Sequence, residues 1–246
     1  MYNGYKLGIV IPAYNEEALI AETLKGMPTE ANRVYVVDDA STDATRQIVE
    51  RFVNGQVRLL SNDNNRGVGA AIAAGYKKAM EEDMDIVVVM AGDNQMDKKH
   101  LPELLTSIIE GKADYTKGNR ISRMANRQGM STWRFFGNWA LTLLTKIASG
   151  YWRIGDTQNG YTAITREALQ RIDLAKIYPR YGYCNDLLVK LNVAGCRVVD
   201  VPIPARYSNE KSKIKYGVFI RTVSMLLLIC FLWRLRVRYL APVLRR

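Results

Sequence analysis

Short apolar runs rich in β-branched residues alternate along the chain with segments whose apolar positions recur at helical spacing. Leu7 to Ile11, Arg33 to Val37, Val57 to Ser61 and Ile86 to Met90 read as strands. Helical patterns begin near Glu16, Thr42, Gly67 and Lys98, each separated from the preceding strand as a βα unit requires. The alternation predicts an α/β chain with a mostly parallel central sheet and helices on both faces. In such sheets ligands gather at the carboxyl ends of the strands. No internal repeat, low-complexity segment or linker interrupts the pattern before about residue 206.

The polar clusters fall where that architecture would use them. Pro12, Ala13, Tyr14, Asn15 and Glu16 follow the first strand, Asp38 to Asp43 follow the second, and Ala91 to Asp97 follow the fourth. Asp38 and Asp39 end a strand, and Ser41 or Thr42 is placed to cap the next helix, so turn chemistry is one reading. The other has a carboxylate accepting from a nucleobase N–H or a ribose hydroxyl. Asp93, with Gln95 and Asp97 nearby, offers oxygen ligands to a hard cation such as Mg²⁺ or Mn²⁺, which would in turn hold a diphosphate. A solvated acidic turn is the plainer alternative. Gly67, Val68 and Gly69 half-match the dinucleotide fingerprint, but Ile72 fills its third small position. Close helix packing and a bend explain these glycines without a nicotinamide cofactor.

Composition narrows the chemistry. The 246 residues, 48% apolar and 24% charged, suffice for one globular domain with a short appendage. Cys184, Cys196 and Cys230 show no CxxC spacing and read as reduced thiols. His100 is the only histidine, so a Ser/His/Asp triad or a multi-histidine metal site would have to be built around it alone. Catalysis would then run on carboxylates.

Charge separates the last forty residues from the rest. Of a net +11, residues 206–246 carry +9, leaving +2 for the body. These cations surround the most apolar stretch, Thr222 to Trp233, a pairing that points to anionic lipid rather than nucleic acid. Twelve residues fall short of the roughly 20 that span a bilayer. With Arg221 before it and Arg234, Arg236 and Arg238 after it, the stretch reads as a helix lying in the membrane interface. A tilted span or hairpin half, and a helix buried in the protein's own core or in a subunit contact, are the alternatives. Residues 133–152, rich in Trp and Phe, read as a core helix or as a second membrane contact. Tyr2 to Lys6 lead straight into a strand with no signal-peptide pattern, which places the body on the cytoplasmic face. The expected division is a catalytic domain over 1–210 and a membrane-association segment over 211–246.

Several motifs, in order, resemble the GT-A glycosyltransferases of family two. They are IleValIleProAlaTyrAsnGluGlu (9–17), ValValAspAspAlaSerThrAspAla (36–44), AsnArgGlyValGlyAlaAla (65–71) and the acidic turn at 91–97. GlyAsnArg (118–120), AspThrGlnAsnGlyTyr (156–161) and ValProIlePro (201–204) before SerLys (212–213) narrow the likeness to polyprenyl-phosphate sugar transferases of the dolichyl-phosphate mannosyltransferase type. The resemblance implies a nucleotide-diphosphate sugar held by Pro12, Tyr14, Glu16 and Asp39, with Asp93 and Gln95 near the metal and diphosphate. It places Arg120, Arg206 and Lys213 around the donor diphosphate and the acceptor phosphate. Ala91 stands where the family commonly has the first Asp of an AspXAsp motif, which leaves either Asp93 coordinating with water and phosphate oxygens, alone or helped by Asp97, or a metal that binds weakly until donor arrives. Asp156 is implied near the reacting centre, to steer the acceptor or act as base. Asp186 is its rival, matching the base of members that use hydroxyl acceptors; helix capping or ion pairing is the ordinary role for either.

The implied reaction moves one sugar, with inversion, to a polyprenyl (dolichyl or undecaprenyl) phosphate. That acceptor is already anionic near neutral pH and needs no strong base. Other readings are a family-two enzyme using a hydroxyl acceptor in cell-envelope glycan synthesis, and a nucleotide-sugar-binding regulator that has lost catalysis.

Overall fold

A computed structural model of the chain describes residues 1–93, 95–121, 132–204 and 216–240. The strands are β1 (Leu7–Ala13), β2 (Arg33–Asp38), β3 (Val57–Ser61), β4 (Ile86–Val89), β5 (Tyr115–Asn119), β6 (Thr162–Thr165) and β7 (Val198–Pro202). They form one sheet in the order β3-β2-β1-β4-β6-β5-β7. The first four strands pair in parallel, as the βα rhythm predicts, with Ile11 opposite Val36 and Val10 opposite Val89. Beyond β4 the sheet turns mixed, because β6 runs antiparallel to both β4 and β5.

The helices are α1 (Ile20–Lys25), α2 (Thr45–Glu50), α3 (Val68–Glu81), α4 (Leu101–Ile109), α5 (Thr132–Ser149), α6 (Arg166–Gln170), α7 (Tyr183–Val193) and α8 (Tyr216–Leu235). Alternate residues of each strand supply two cores. Ile9, Ile11, Val34, Val36 and Val88 pack with Ile20 of α1 and Leu104, Leu105 and Ile108 of α4. Val10, Tyr35, Val37, Val87 and Val89 pack on the other face with Ile72 and Tyr76 of α3 and Leu187 and Leu188 of α7.

Helices start later than the sequence pattern suggests. Glu16 lies in the loop ahead of α1, where Asn15 adopts a left-handed φ of 55°. Thr42 lies in the loop ahead of α2, whose N-cap is Ala44, so neither Ser41 nor Thr42 caps that helix. Their polar groups tie two loops together instead: Ser41 Oγ accepts from the Asn15 N–H at 3.0 Å, and the Thr42 N–H donates to Asn15 Oδ1 at 2.8 Å. Lys98 opens a short 3₁₀ turn that runs into α4.

The C-terminal helix has two apolar faces. Val223, Leu227 and Cys230 of α8 are buried with Leu141 and Ala148 of α5 and Val189 of α7, so the core-helix alternative holds for that face. Met225, Leu228, Ile229, Leu232 and Trp233 point outward, as do Trp139, Leu143, Leu144 and Ile147 of α5. Among the described residues no helix is long and apolar enough to cross a membrane, which removes support for the tilted span. The 210/211 boundary falls outside the described residues.

Gly75 shows how tightly α3 lies on the sheet: a Cβ there would come 2.4 Å from Val10 Cγ1. Alanine favours a helix over glycine by about 1 kcal/mol. Even so, Gly75→Ala is expected to destabilise by about 1–3 kcal/mol through overpacking, read as a lower midpoint in urea unfolding.

Candidate active site

The carboxyl ends of β1, β2 and β4 converge on a cavity of about 450 Å³. Pro12, Tyr14 and Glu16 from the β1 loop, Asp39 after β2 and Asp93 after β4 all line it, so the residues expected to hold a nucleoside are brought together. Two loops form this rim because their side chains cap each other's backbone. Besides the Ser41 and Asn15 bonds, Thr45 Oγ1 accepts from the Glu16 N–H at 2.7 Å, and Glu17 Oε2 accepts from the Ala44 N–H at 2.9 Å. Asp43 accepts from the Thr45 hydroxyl and the Thr45 and Glu17 N–H groups; burial pushes its carboxyl up, but these bonds outweigh it and hold it below the usual range.

Asp38 and Asp39 divide the work. Asp38 closes the turn, accepting from the Ser41 N–H at 3.1 Å. Asp39 is buried, and its carboxylate accepts from Asn62 Nδ2 at 2.8 Å and from the N–H groups of Arg66 at 2.9 Å and Gly67 at 2.6 Å. A carboxylate has about four lone-pair sites, so room remains for one further donor.

Asp93 also borders a second cavity of about 260 Å³, lined by Gln95, Asp97, His100, Arg120, Asn159 and Tyr161 among others. Its Oδ1 accepts from the Gln95 N–H at 3.1 Å, which folds the acidic turn back on itself. One carboxylate beside a side-chain amide, open to two cavities, suits a Mg²⁺- or Mn²⁺-like ion completed by phosphate and water oxygens. Among the described residues no group of three or more His, Cys, Asp or Glu side chains stands close enough to hold a metal by itself.

Arg120 reaches the second cavity from the end of β5, and Asp156 holds it there. Arg120 Nε lies 2.7 Å from Asp156 Oδ2, and Nη2 lies 3.2 Å from Oδ1. Asp156 is 3% exposed. Burial pushes its carboxyl up, but the charge and hydrogen bonds of Arg120, with the charge of Lys117, outweigh that and leave it below its ordinary value. Behind the pair, Asp200 of β7 accepts from Asn119 Nδ2 at 2.7 Å and from the Gly155 N–H, joining the strand that carries Arg120 to the loop that carries Asp156. Burial leads in raising the Asp200 carboxyl, and the neighbouring Asp156 adds to it.

Asp186 sits elsewhere. It is buried at the start of α7, beside an apolar groove between α7, α8 and residues 171–179, and does not line either cavity. Arg206 and Lys213 lie outside the described residues. Arg180 and Tyr181, which line the first cavity, escape sequence reasoning: they belong to a loop with no motif, far along the chain from the strands they face.

Residues 8–173 match the family described as Glycosyl transferase family 2. The chain belongs to that family. It is 31% identical to an undecaprenyl-phosphate mannosyltransferase of Micrococcus luteus, over 79% of this chain and 81% of the relative. It is 27% identical to a UDP-N-acetylglucosamine–dolichyl-phosphate N-acetylglucosaminyltransferase of Methanococcus voltae, over 81% and 85% of the two chains. In three dimensions it resembles glucosyl-3-phosphoglycerate synthase of Mycobacterium tuberculosis, solved with Mn²⁺, UDP and phosphoglyceric acid, with a TM-score of 0.69 over 93% of this chain and 79% of that one at 20% identity. The family-2 chain is a glycosyltransferase with the GT-A-like α/β fold, and the motif-based reading of its family holds.

Asp156 gives the site a pH-dependent component. Its folded-state carboxyl lies below the ordinary 3.8, so the stabilisation is complete above that value and is lost as pH falls through the lowered one. Asp156→Asn leaves Arg120 without its buried partner and is expected to cost about 3 kcal/mol at neutral pH. The deficit against the parent protein should narrow below pH 3.8 in urea titrations.

Proposed function

We propose that this glycosyltransferase moves a single sugar from a nucleotide-diphosphate donor to a polyprenyl phosphate at a membrane surface. One observation carries the reading: two cavities meet at Asp93, one lined by Asp39 and the β1 loop, the other by Arg120. The first suits a nucleoside, the second an anionic acceptor, and the shared carboxylate lies where the diphosphate between them would end. The names of the Micrococcus and Methanococcus relatives support the acceptor class.

Asp39 directs its remaining acceptor capacity to a base or ribose donor. Asp93 and Gln95 would hold a divalent cation, which when bound supplies positive charge to the departing diphosphate. Arg120, fixed by its two bonds to Asp156, presents a guanidinium to phosphate oxygens in a preset orientation and loses little entropy on binding. An acceptor phosphate oxygen forms the new bond to the anomeric carbon as the bond to the diphosphate oxygen breaks from the opposite face. The nucleoside diphosphate carries the electron pair away, and the sugar inverts. Asp156 serves this step through Arg120; a deeply buried, depressed carboxylate already committed to a guanidinium is a poor proton acceptor.

Chain length of the acceptor brings in the membrane. The outward faces of α5 and α8 expose Trp139, Leu143, Leu228 and Leu232, and Arg221, Arg236 and Arg238 stand along or just beyond α8. An apolar stripe flanked by cations meets an anionic bilayer without crossing it. The prenyl chain would stay in the lipid while its phosphate enters the second cavity.

Two measurements test this reading. A panel of UDP- and GDP-sugars with short polyprenyl phosphates should give a metal-dependent product labile in mild acid, and Asp93→Asn should lower turnover about 100-fold. Transfer only to hydroxyl acceptors would overturn the acceptor assignment. Leu228→Glu with Leu232→Glu should weaken flotation with anionic vesicles by roughly tenfold or more, since each removes a buried leucine from the interface. Unchanged flotation would remove the membrane face.

A further inference from the structure

Asp186, which the family likeness offers as a base, is engaged on every side. It is 3% exposed. Oδ2 accepts the Tyr178 N–H at 2.7 Å, while Oδ1 accepts from Lys190 Nζ and from Cys230 Sγ of α8. Tyr178 begins a segment whose next turn, Arg180 and Tyr181, forms one wall of the cavity assigned above to the donor. The opposite side of that segment is held by α3. Pro179 O accepts the Ala70 N–H at 3.0 Å, and residue 69 must be glycine because a Cβ there would lie 2.0 Å from Tyr178 O. The paired glycines after β3 therefore clear a path for this backbone.

We infer that Asp186 is a positioning residue for the donor: it clamps residues 178–181 against α3 so that Arg180 and Tyr181 keep their place in the cavity wall. The inference rests on the first cavity being the donor site. The carboxylate lines neither cavity, and its two oxygens are taken by Tyr178, Lys190 and Cys230. Through Cys230 and Lys190, whose ammonium also lies 5.9 Å from the Trp233 ring centre, the clamp is tied to α8, the helix proposed to meet the membrane. The wall of the donor cavity and the seating of α8 thus share one buried carboxylate.

The test uses the full chain, with UDP and GDP as calorimetric probes, steady-state kinetics, and amide exchange of Tyr178. Asp186→Ala should speed exchange at Tyr178, raise the Kd of the bound nucleotide and the donor KM about tenfold, as for loss of one hydrogen bond to a charged group, and leave kcat within about threefold. Asp186→Asn with Lys190→Met keeps an acceptor for the Tyr178 N–H and removes the partner charge, so Kd and kcat should both return to near the parent values. This double variant also decides the matter if Asp186→Ala does not fold. A kcat loss of about 100-fold in the double variant, with KM unchanged and the acidic limb of the pH profile gone, would make Asp186 a base and overturn the inference. Faster exchange with unaltered nucleotide affinity, or exchange that does not change, would overturn it as well. A parent protein that binds neither nucleotide would refute the donor reading, while the exchange arm, which needs no nucleotide, still judges the clamp.

Discussion

The central strands are sealed on both faces, and that constraint arranges the rest of the molecule. Along β1, β2 and β4, side chains alternate between two packed cores, with Ile9, Val10, Ile11, Val36 and Val88 fully buried. An unpaired charge set anywhere along those strands would lose its hydration with nothing to replace it. Polar chemistry is thereby confined to the strand ends, and the parallel arrangement puts three carboxyl ends at one edge. Asp39 and Asp93 share a cavity for that reason, although α2, β3, α3 and β4 lie between them in sequence.

Loops at that edge are held by specific bonds rather than by bulk packing. Asn15, Ser41 and Thr45 knit the first two loops, and Asp39 gathers the backbone N–H groups that open α3. At the second cavity, Asp156 and Asp200 fix Arg120 and the strand beneath it. Carboxylates therefore act here at two removes. Asp93 borders both cavities and Asp39, though buried, borders one, whereas Asp156 and Asp186 are buried, line neither and shape what surrounds them. Such preorganisation places donors and charges before substrate arrives, so little reorganisation is left for the reaction itself.

The C-terminal helix packs on α5 and α7, and its Cys230 reaches Asp186. Its inner stripe, Val223, Leu227 and Cys230, completes a small core with α5 and α7, and its outer stripe remains apolar where a solvent-facing helix would carry charge. A helix with two apolar faces needs two apolar partners. The protein provides one through α5 and α7, and under the proposed function a bilayer would provide the other.

The alternation of short apolar runs with helical periods was enough to place the first four strands within two residues at each end, because burial on both faces leaves β1, β2 and β4 a near-continuous apolar signature, while the edge strand β3 keeps a shorter one. The motifs at the strand ends identified the family and several residues that line the first cavity, since Pro12, Tyr14, Glu16, Asp39 and Asp93 each follow directly from a legible strand. Sequence could not decide what depends on contacts between distant segments. The antiparallel insertion of β6, the entry of Arg180 and Tyr181 into the cavity wall, and the commitment of Asp156 to Arg120 all arise from such pairings. Asp186 is the sharpest case: the family likeness offers it as a base, and only the folded chain brings the Tyr178 N–H, Lys190 and Cys230 to its two oxygens. Local pattern fixes which residues are polar and where strands end, whereas only the folded chain settles which charge meets which partner, because a carboxylate's role is set by the donors that reach it.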